Sequence, residues 1–332
     1  MKKFNHLKLS DREVIQKRLD SGFKQVRIAE ELNVDPSTIS REIKRNSGNE
    51  YFCVAAHRFA TEKRKSANQR RKKIFSPKLK WYVLKRLIQQ WTPEDISNRL
   101  KKVHPFDRSK WISAETIYQW IFEYKEKGIY LNKFLLRKNK KYSTRGKKGR
   151  KLDKNQKKTS IHDRPTIIND RKRLGDWEGD TVVGSQRSGF IASFIERKSR
   201  FYITAKLENL KAENFNVAIR DQFAFLDNER IRSFTFDNGT EMSAFEQIEE
   251  FMNCKVYFTD PGSPWQKGQV ENIHRILRYY FPKKSNFKDI TQEKLDKVTH
   301  RINQKPRKCL GYRNPYEAFH GLPITDHLAL RI

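Results

Sequence analysis

The sequence predicts a chain in two parts, an all-α N-terminal half followed by an α/β half built on a mixed five-stranded sheet. Three observations predict it. Up to about residue 136, apolar residues recur at helical spacing behind capping residues and prolines. Across residues 137–158, twelve of twenty-two residues are basic, one is acidic, and no apolar period runs through. Beyond residue 175 the apolar runs become short and strand-like, bounded by turn residues.

Ser10-Asp-Arg-Glu13 has the Ser-x-x-Glu form of a capping box, and Val14, Ile15 and Leu19 follow at helical spacing, so a first helix is expected from about Asp11. Ser21-Gly22 breaks it. Residues 25–32 read as a second helix with Ile28, Ala29 and Leu32 inward. Asp35 as N-cap and Pro36 at the first helical position open a third. There Ile39 and Ile43 face the core, leaving Ser37, Thr38, Ser40, Arg41, Lys44 and Arg45 outward. Caps, short turn and polar face agree on a helix-turn-helix DNA-binding domain over residues 1–60. Its hydroxyls can approach bases and phosphates, and its arginines can pair with guanine edges.

Residues 63–73 hold seven basic side chains in eleven positions, a run that can follow a phosphate backbone without reading sequence. Thr92 then caps a helix with Pro93 at its first position and Ile96 and Leu100 inward, and Ser113 caps another containing Ile117, Trp120 and Ile121. Residues 61–136 therefore form a second helical, helix-turn-helix-like region. Its outward set, Glu115, Thr116, Gln119 and Glu123, is poor in arginine, so a structural or protein-contact role stands beside DNA contact. Residues 137–170 read as a basic flexible linker that tracks DNA.

In the C-terminal half, over residues 171–325, strands are expected at 176–183, 190–196 and 201–207, the last two joined by Arg197-Lys-Ser-Arg200, so the three form an antiparallel meander. Residues 210–226 make a helix with Phe215, Ile219, Phe223 and Leu226 on one face. A fourth strand, 231–236, ends at Asp237-Asn238-Gly239. Residues 244–252 are helical, 255–258 a fifth strand, and 267–280 the last core helix. Strand, strand, strand, helix, strand, helix, strand, helix is the order of the ribonuclease H-like fold.

With 332 residues, 36% of them hydrophobic, and 22 Phe and six Trp, the chain can fill the cores of two or three domains. Its net charge of +32, from 71 basic against 39 acidic side chains, points to a polyanionic partner without naming an activity. Met-Lys-Lys-Phe-Asn-His leads into no apolar run, and no stretch approaches the roughly 20 apolar residues that span a bilayer. A cytoplasmic protein on nucleic acid, with no membrane partner, is expected. Cys53, Cys254 and Cys309 form no C-x-x-C pair, and His57, His104 and His162 lack helical metal-ligand spacing, so neither a disulfide framework nor a zinc site is expected.

Carboxylates on the contact face of a protein that grips polyphosphate suggest bound cations. Asp176, Glu178 and Asp180 alternate and share one face of the first strand, and periodicity does not choose among them. Asp237 is presented by the turn that closes the fourth strand, with Glu241 nearby as an accessory acid. On the last helix Val270, Ile273, Leu277 and Tyr280 make an apolar stripe, leaving Glu271, Arg275 and Arg278 on the adjacent polar face. Trp265, Gln266 and Lys267 could contact DNA near Glu271, and Arg307 and Lys308 could bind phosphate. Leu310-Gly-Tyr-Arg-Asn-Pro315 reads as a turn that docks the tail.

Gly175-Asp-Trp-Glu-Gly-Asp180, Thr235-Phe-Asp-Asn-Gly239, Asp260-Pro-Gly-Ser-Pro-Trp-Gln-Lys-Gly268 and Glu271-Asn272 resemble the signatures of retroviral-integrase-type DDE transposases, and more narrowly those of the bacterial insertion sequence thirty family. Thr38-Ile-Ser-Arg-Glu42, Trp91-Thr-Pro-Glu94, Glu115-Thr-Ile-Tyr118, Tyr280-Phe-Pro-Lys283 and Pro306-Arg-Lys308 extend the resemblance over nearly the whole chain. Asp237 and Glu271 lie 34 positions apart, as the family spacing requires. Where family members often carry Asn-Glu-Asn, this chain has Val270-Glu-Asn272, which spares the acid.

The resemblance implies an integrase catalytic core in which Asp180, Asp237 and Glu271 are catalytic and hold Mg²⁺, with Mn²⁺ able to substitute. Asp180 would bridge two ions about 3.5–4 Å apart, and Asp237 and Glu271 would each complete one shell. Hard cations take oxygen ligands, which suits Asp and Glu. Water would attack first, and the freed 3′ hydroxyl would then attack target DNA. The expected enzyme is a bacterial, nucleoid-associated DNA transposase that binds terminal inverted repeats and target DNA as a homo-oligomer. Ser37, Thr38, Ser40, Arg41, Lys44, Arg45, Lys267 and Arg275 are its expected DNA contacts. A circular intermediate with abutted ends is a further implication. The rival readings are a non-catalytic helix-turn-helix regulator and a nuclease without joining activity.

Overall fold

The computed structural model describes residues 6–46, 50–70, 75–135 and 158–325. Two compact units divide the chain, Met1–Phe75 and Ser76–Ile332. In the first, α1 (Leu9–Asp20), α2 (Gln25–Glu31), α3 (Pro36–Asn46) and α4 (Cys53–Arg70) close on Leu7, Ile15, Ile28, Ala29, Ile39 and Tyr51. Helix α1 starts earlier than expected because Asp11, not Glu13, makes the return bond. Its Oδ2 accepts from the Lys8 N–H at 2.7 Å, which places Ser10 inside the helix. Asp35 opens α3 as expected, accepting from the Ser37 N–H at 2.8 Å. Ser40, Arg41, Lys44 and Arg45 are exposed on α3, with Ser37 and Thr38 half-buried.

Helix α3 is held by a contact that spacing does not reveal. The buried Arg12 of α1 donates from Nε to Glu42 Oε1 of α3 at 2.6 Å and from NH1 to the Leu7 carbonyl at 2.6 Å, and NH1 lies 3.3 Å from His57 Nδ1 of α4. Helix α4 itself was not foreseen. It absorbs residues 63–70 of the basic run, and residues 71–73 of that run lie outside the described residues.

The second unit begins with α5 (Pro77–Ile88), α6 (Pro93–Val103) and α7 (Ala114–Glu126). Thr92 and Asp95 cap α6 reciprocally at 3.1 Å, and Ser113 Oγ accepts from the Thr116 N–H at 3.0 Å to start α7. Of the expected linker, residues 137–157 lie outside the described residues, but its later part is built into the fold. Thr159 O accepts from the Phe258 N–H at 2.9 Å, Ile161 and Ile168 are buried, and α8 (Thr166–Asn169) follows. Two apolar side chains with somewhere to be buried are enough to end the flexibility expected up to residue 170.

The remainder runs β1 (Asp176–Val183), β2 (Phe190–Glu196), β3 (Tyr202–Leu207), α9 (Ala212–Phe223), β4 (Ser233–Phe236), α10 (Phe245–Met252), β5 (Lys255–Phe258), α11 (Gly268–Tyr280), α12 (Gln292–Gln304) and α13 (Pro315–His320). The sheet order is β3-β2-β1-β4-β5, with β1–β2 and β2–β3 antiparallel and β1–β4 and β4–β5 parallel. This is the expected ribonuclease H-like core. Trp177, Phe194, Phe215, Phe223, Phe234 and Phe236 pack on the face covered by α9 and α10, and Val182, Ile195, Tyr202, Val270, Ile273 and Leu277 on the opposite face under α11 and α12.

The helices α5–α7 are fastened to the tail of this core. Arg99 of α6 and Glu317 of α13 form a buried ion pair, Arg99 NH1 donating to Glu317 Oε2 at 2.8 Å and to the Tyr312 carbonyl at 2.9 Å. Lys305 Nζ reaches the Gln90 carbonyl at 2.6 Å and lies 3.7 Å from Asp95 Oδ2. The tail turn docks as expected, with Asn314 Oδ1 accepting from the Glu317 N–H at 2.7 Å to cap α13.

Candidate active site

Strands β1 and β4 run parallel with Glu178 opposite Thr235. Two residues further along each chain come Asp180 and Asp237. Since β4 ends at Phe236, Asp180 stands where β1 outruns its parallel neighbour, and the two acids lie side by side at the C-terminal end of the parallel pair, where α/β sheets open a crevice. Gly179 permits this approach, because a Cβ there would fall 2.3 Å from Cε1 of the Phe236 ring.

Lys267 sits against both acids. Its buried side chain puts Nζ 3.4 Å from Asp237 Oδ2 and 3.7 Å from Asp180 Oδ2, and donates to the Gly179 carbonyl at 3.1 Å. Expected as a DNA contact, Lys267 therefore has carboxylates as its partners, with little of its surface open to solvent. Burial pushes the Asp180 carboxyl up to about 6, opposed by the Lys267 ammonium and reinforced by the charge of Asp237.

His274 of α11 was not anticipated. Its Nδ1 is 4.0 Å from Asp180 Oδ2, its Nε2 is 2.9 Å from Ser193 Oγ, and that hydroxyl is 2.9 Å from the Tyr202 hydroxyl. Burial, with Lys267 and Arg278 nearby, lowers the imidazole to about 4, so it is neutral at neutral pH. The signal was present in the sequence: position 274 is one turn beyond Val270 on the inward side of an amphipathic helix. Glu241 is also drawn in, its Oε1 accepting from the Thr181 hydroxyl at 2.7 Å.

The three alternating acids of β1 separate by environment. Asp176 is buried and accepts from Arg173 Nε at 3.0 Å and Ser233 Oγ at 2.7 Å. Glu178 is buried against Arg197, 2.5 Å away, and accepts the backbone N–H groups of Gln269 and Val270 at 3.2 and 3.3 Å. Asp180 alone of the three lies partly open beside Asp237.

Glu271 is exposed in the first turn of α11, next to Asn272, whose Oδ1 accepts from the exposed Arg275 at 2.6 Å. Arg278, expected on the same polar face, instead folds inward and donates to the Val183 carbonyl at 2.7 Å. The structure brings Asp180 and Asp237 together but not Glu271, and among the described residues no three His, Cys, Asp or Glu side chains gather into a metal-binding group. What is assembled still suits a hard cation: two adjacent carboxylates offer oxygen donors alone, and a protein cation already lies against both. Among the described residues, no helix is long and apolar enough to cross a membrane.

The chain matches the family described as a helix-turn-helix domain over residues 3–46 and the integrase core domain over residues 170–264. It is 36% identical over 338 residues to the transposase InsI for insertion sequence element IS30A of Escherichia coli (strain K12), spanning 97% of this chain and 85% of that protein. It is 32% identical to the transposase for insertion sequence element IS4351 of Bacteroides fragilis, spanning 95% of each. Among solved structures it is similar to the catalytic core domain of BIV integrase, at 18% identity and a TM-score of 0.35, over 44% of this chain and 93% of that one.

Proposed function

Because the chain belongs to the IS30 family of insertion-sequence transposases, and so is a DNA transposase with an integrase core, we propose that Asp180, Asp237 and Glu271 are its catalytic acids and hold Mg²⁺, with Mn²⁺ able to substitute. The observation that carries this reading is the side-by-side placement of Asp180 and Asp237 at the ends of neighbouring parallel strands, with a lysine ammonium against both. When bound by such oxygen donors, divalent cations activate an attacking oxygen and stabilise a leaving 3′ oxygen. Asp180, partly open beside Asp237, would hold the cation together with Asp237 and Glu271. The ammonium of Lys267 lies against both aspartates and favours the ionised form of Asp180, and neutral His274 stands beside Asp180 without adding charge.

Binding is assigned to the first unit. The exposed Ser40, Arg41, Lys44 and Arg45 of α3, with Ser37 and Thr38 at its start, read the terminal inverted repeats, and exposed Arg275 meets DNA beside Glu271. Holding two element ends together calls for a homo-oligomer, working on the nucleoid in the cytoplasm. The test uses full-length protein, Mg²⁺ and a labelled terminal-repeat duplex mixed with target DNA. Joined products are expected. Cleavage without joining would identify a nuclease, and binding without cleavage a regulator.

A further inference from the structure

Helix α11 has no side-chain cap of its own. Lys267 stands at its N-cap position without a capping hydrogen bond, so the first N–H groups of the helix depend on partners from elsewhere. Two of them are met by a strand. Glu178 Oε2 accepts the N–H groups of Gln269 and Val270, and Glu178 Oε1 takes Arg197 NH1. Arg197 in turn binds the Ile168 carbonyl through Nε at 3.2 Å, and its own carbonyl accepts from Gln269 Nε2 at 3.2 Å. All three side chains are buried.

We propose that Glu178 is a positioning residue for this site: its carboxylate fastens the first turn of α11, and with it Glu271, to the strand that carries Asp180. The inference rests on the reading of Asp180, Asp237 and Glu271 as one site. A serine or threonine cap would satisfy the same N–H groups without fixing where the helix lies. A carboxylate projecting from β1 does both, and its charge also complements the positive end of the helix. Glu178 precedes Asp180 by two residues on the same strand face, and Glu271 follows Val270 directly, so the Glu178 side chain is a short link between the two acids. A buried ion pair is a weak device for stability alone, since an apolar pair of similar volume often serves as well. Positioning gives this one a reason to be there.

The test is direct Mn²⁺ binding to the full-length protein, by calorimetry or electron paramagnetic resonance, with end binding measured in chelator. Glu178→Gln is expected to stay folded and bind the terminal-repeat duplex like the parent, while its Mn²⁺ dissociation constant rises about 10–100-fold. Glu178→Asp keeps the charge but withdraws it from the helix, and is expected to show the same rise with weaker amide-exchange protection at Gln269 and Val270. Parental Mn²⁺ affinity in folded forms of both variants overturns the proposal. Collapse of both also overturns it, since Glu178 would then hold the whole fold rather than α11. Full Mn²⁺ affinity in Asp180→Asn sinks instead the site reading beneath it, a result separable from either Glu178 outcome.

Discussion

The Lys267 ammonium lies 3.4 Å from an Asp237 carboxylate oxygen, from a side chain that is itself buried. A cation drawn from the protein is thus the nearest counter-charge for an acid that is read as a metal ligand. Lys267→Met leaves Asp180 and Asp237 adjacent without it. Because Asp237 is close to half exposed, the loss is discounted from that of a fully buried pair to about 1–2 kcal/mol. Mg²⁺ should restore more stability to Lys267→Met than it adds to the parent. Equal Mg²⁺-induced shifts in melting temperature would show that lysine and metal do not share the acids.

Asp237→Asn is nearly isosteric and lies at a strand end of the second unit, whereas α3 belongs to the first. End binding measured in chelator should be unaffected, while Mg²⁺-dependent cleavage falls by more than about 100-fold, beyond what loss of a mere supporting partner costs. Equal losses of binding and cleavage would remove Asp237 from the chemistry.

The core was legible because its signals are local. Strands β1, β2 and β5 fall at the expected residues, since apolar runs bounded by turns specify them without help from elsewhere. Helices α4, α5, α12 and α13 were not foreseen, although Leu295, Val298 and Ile302 of α12 sit at helical spacing. Within the site, periodicity could say only that Asp176, Glu178 and Asp180 share a face. What separates them lies far off in sequence: Ser233 for Asp176, Gln269 and Val270 for Glu178, Lys267 for Asp180. The same holds for Lys267, whose partners lie 30 and 87 positions before it and whose charge suggested a phosphate.

On α3, neighbouring residues separate recognition from support. Arg41 is exposed, and Arg41→Ala should weaken binding to the terminal repeat by about 1–3 kcal/mol if it pairs with guanine. The same loss on random DNA would mark a phosphate contact. Glu42 is buried on Arg12, and Glu42→Ala strands that guanidinium, at about 3–5 kcal/mol of domain stability. A competition titration and a thermal melt on the two variants should therefore give opposite patterns. A Glu42→Ala protein with parental melting would refute the supporting role.

Arg99 is held inside by Glu317, so Arg99→Met should cost about 3–5 kcal/mol through the carboxylate left unpaired. Removing both charges together, as Arg99→Met with Glu317→Leu, should recover most of it. A double variant no better than the single would mean that the carbonyl contacts to Tyr312, rather than the ion pair, fasten α6 to the tail.

Lys305 gives the same junction a pH signature of opposite sense to that of a stabilising ion pair. Burial lowers its ammonium to about 8, against the pull of Asp95. Below pH 8 both folded and unfolded chains hold the proton, and the full cost of burying the charge is present. Between about 8 and the ordinary lysine value near 10.4, the unfolded chain binds more protons, so stability rises with pH by up to about 3 kcal/mol. Above that range the cost is gone. Denaturant midpoints of the parent and of Lys305→Met, taken at steps from pH 7 to 10.5, isolate this contribution from other titrations. The difference should shift in the parent's favour as pH rises, and a constant difference would mean that Lys305 stays charged where it is buried.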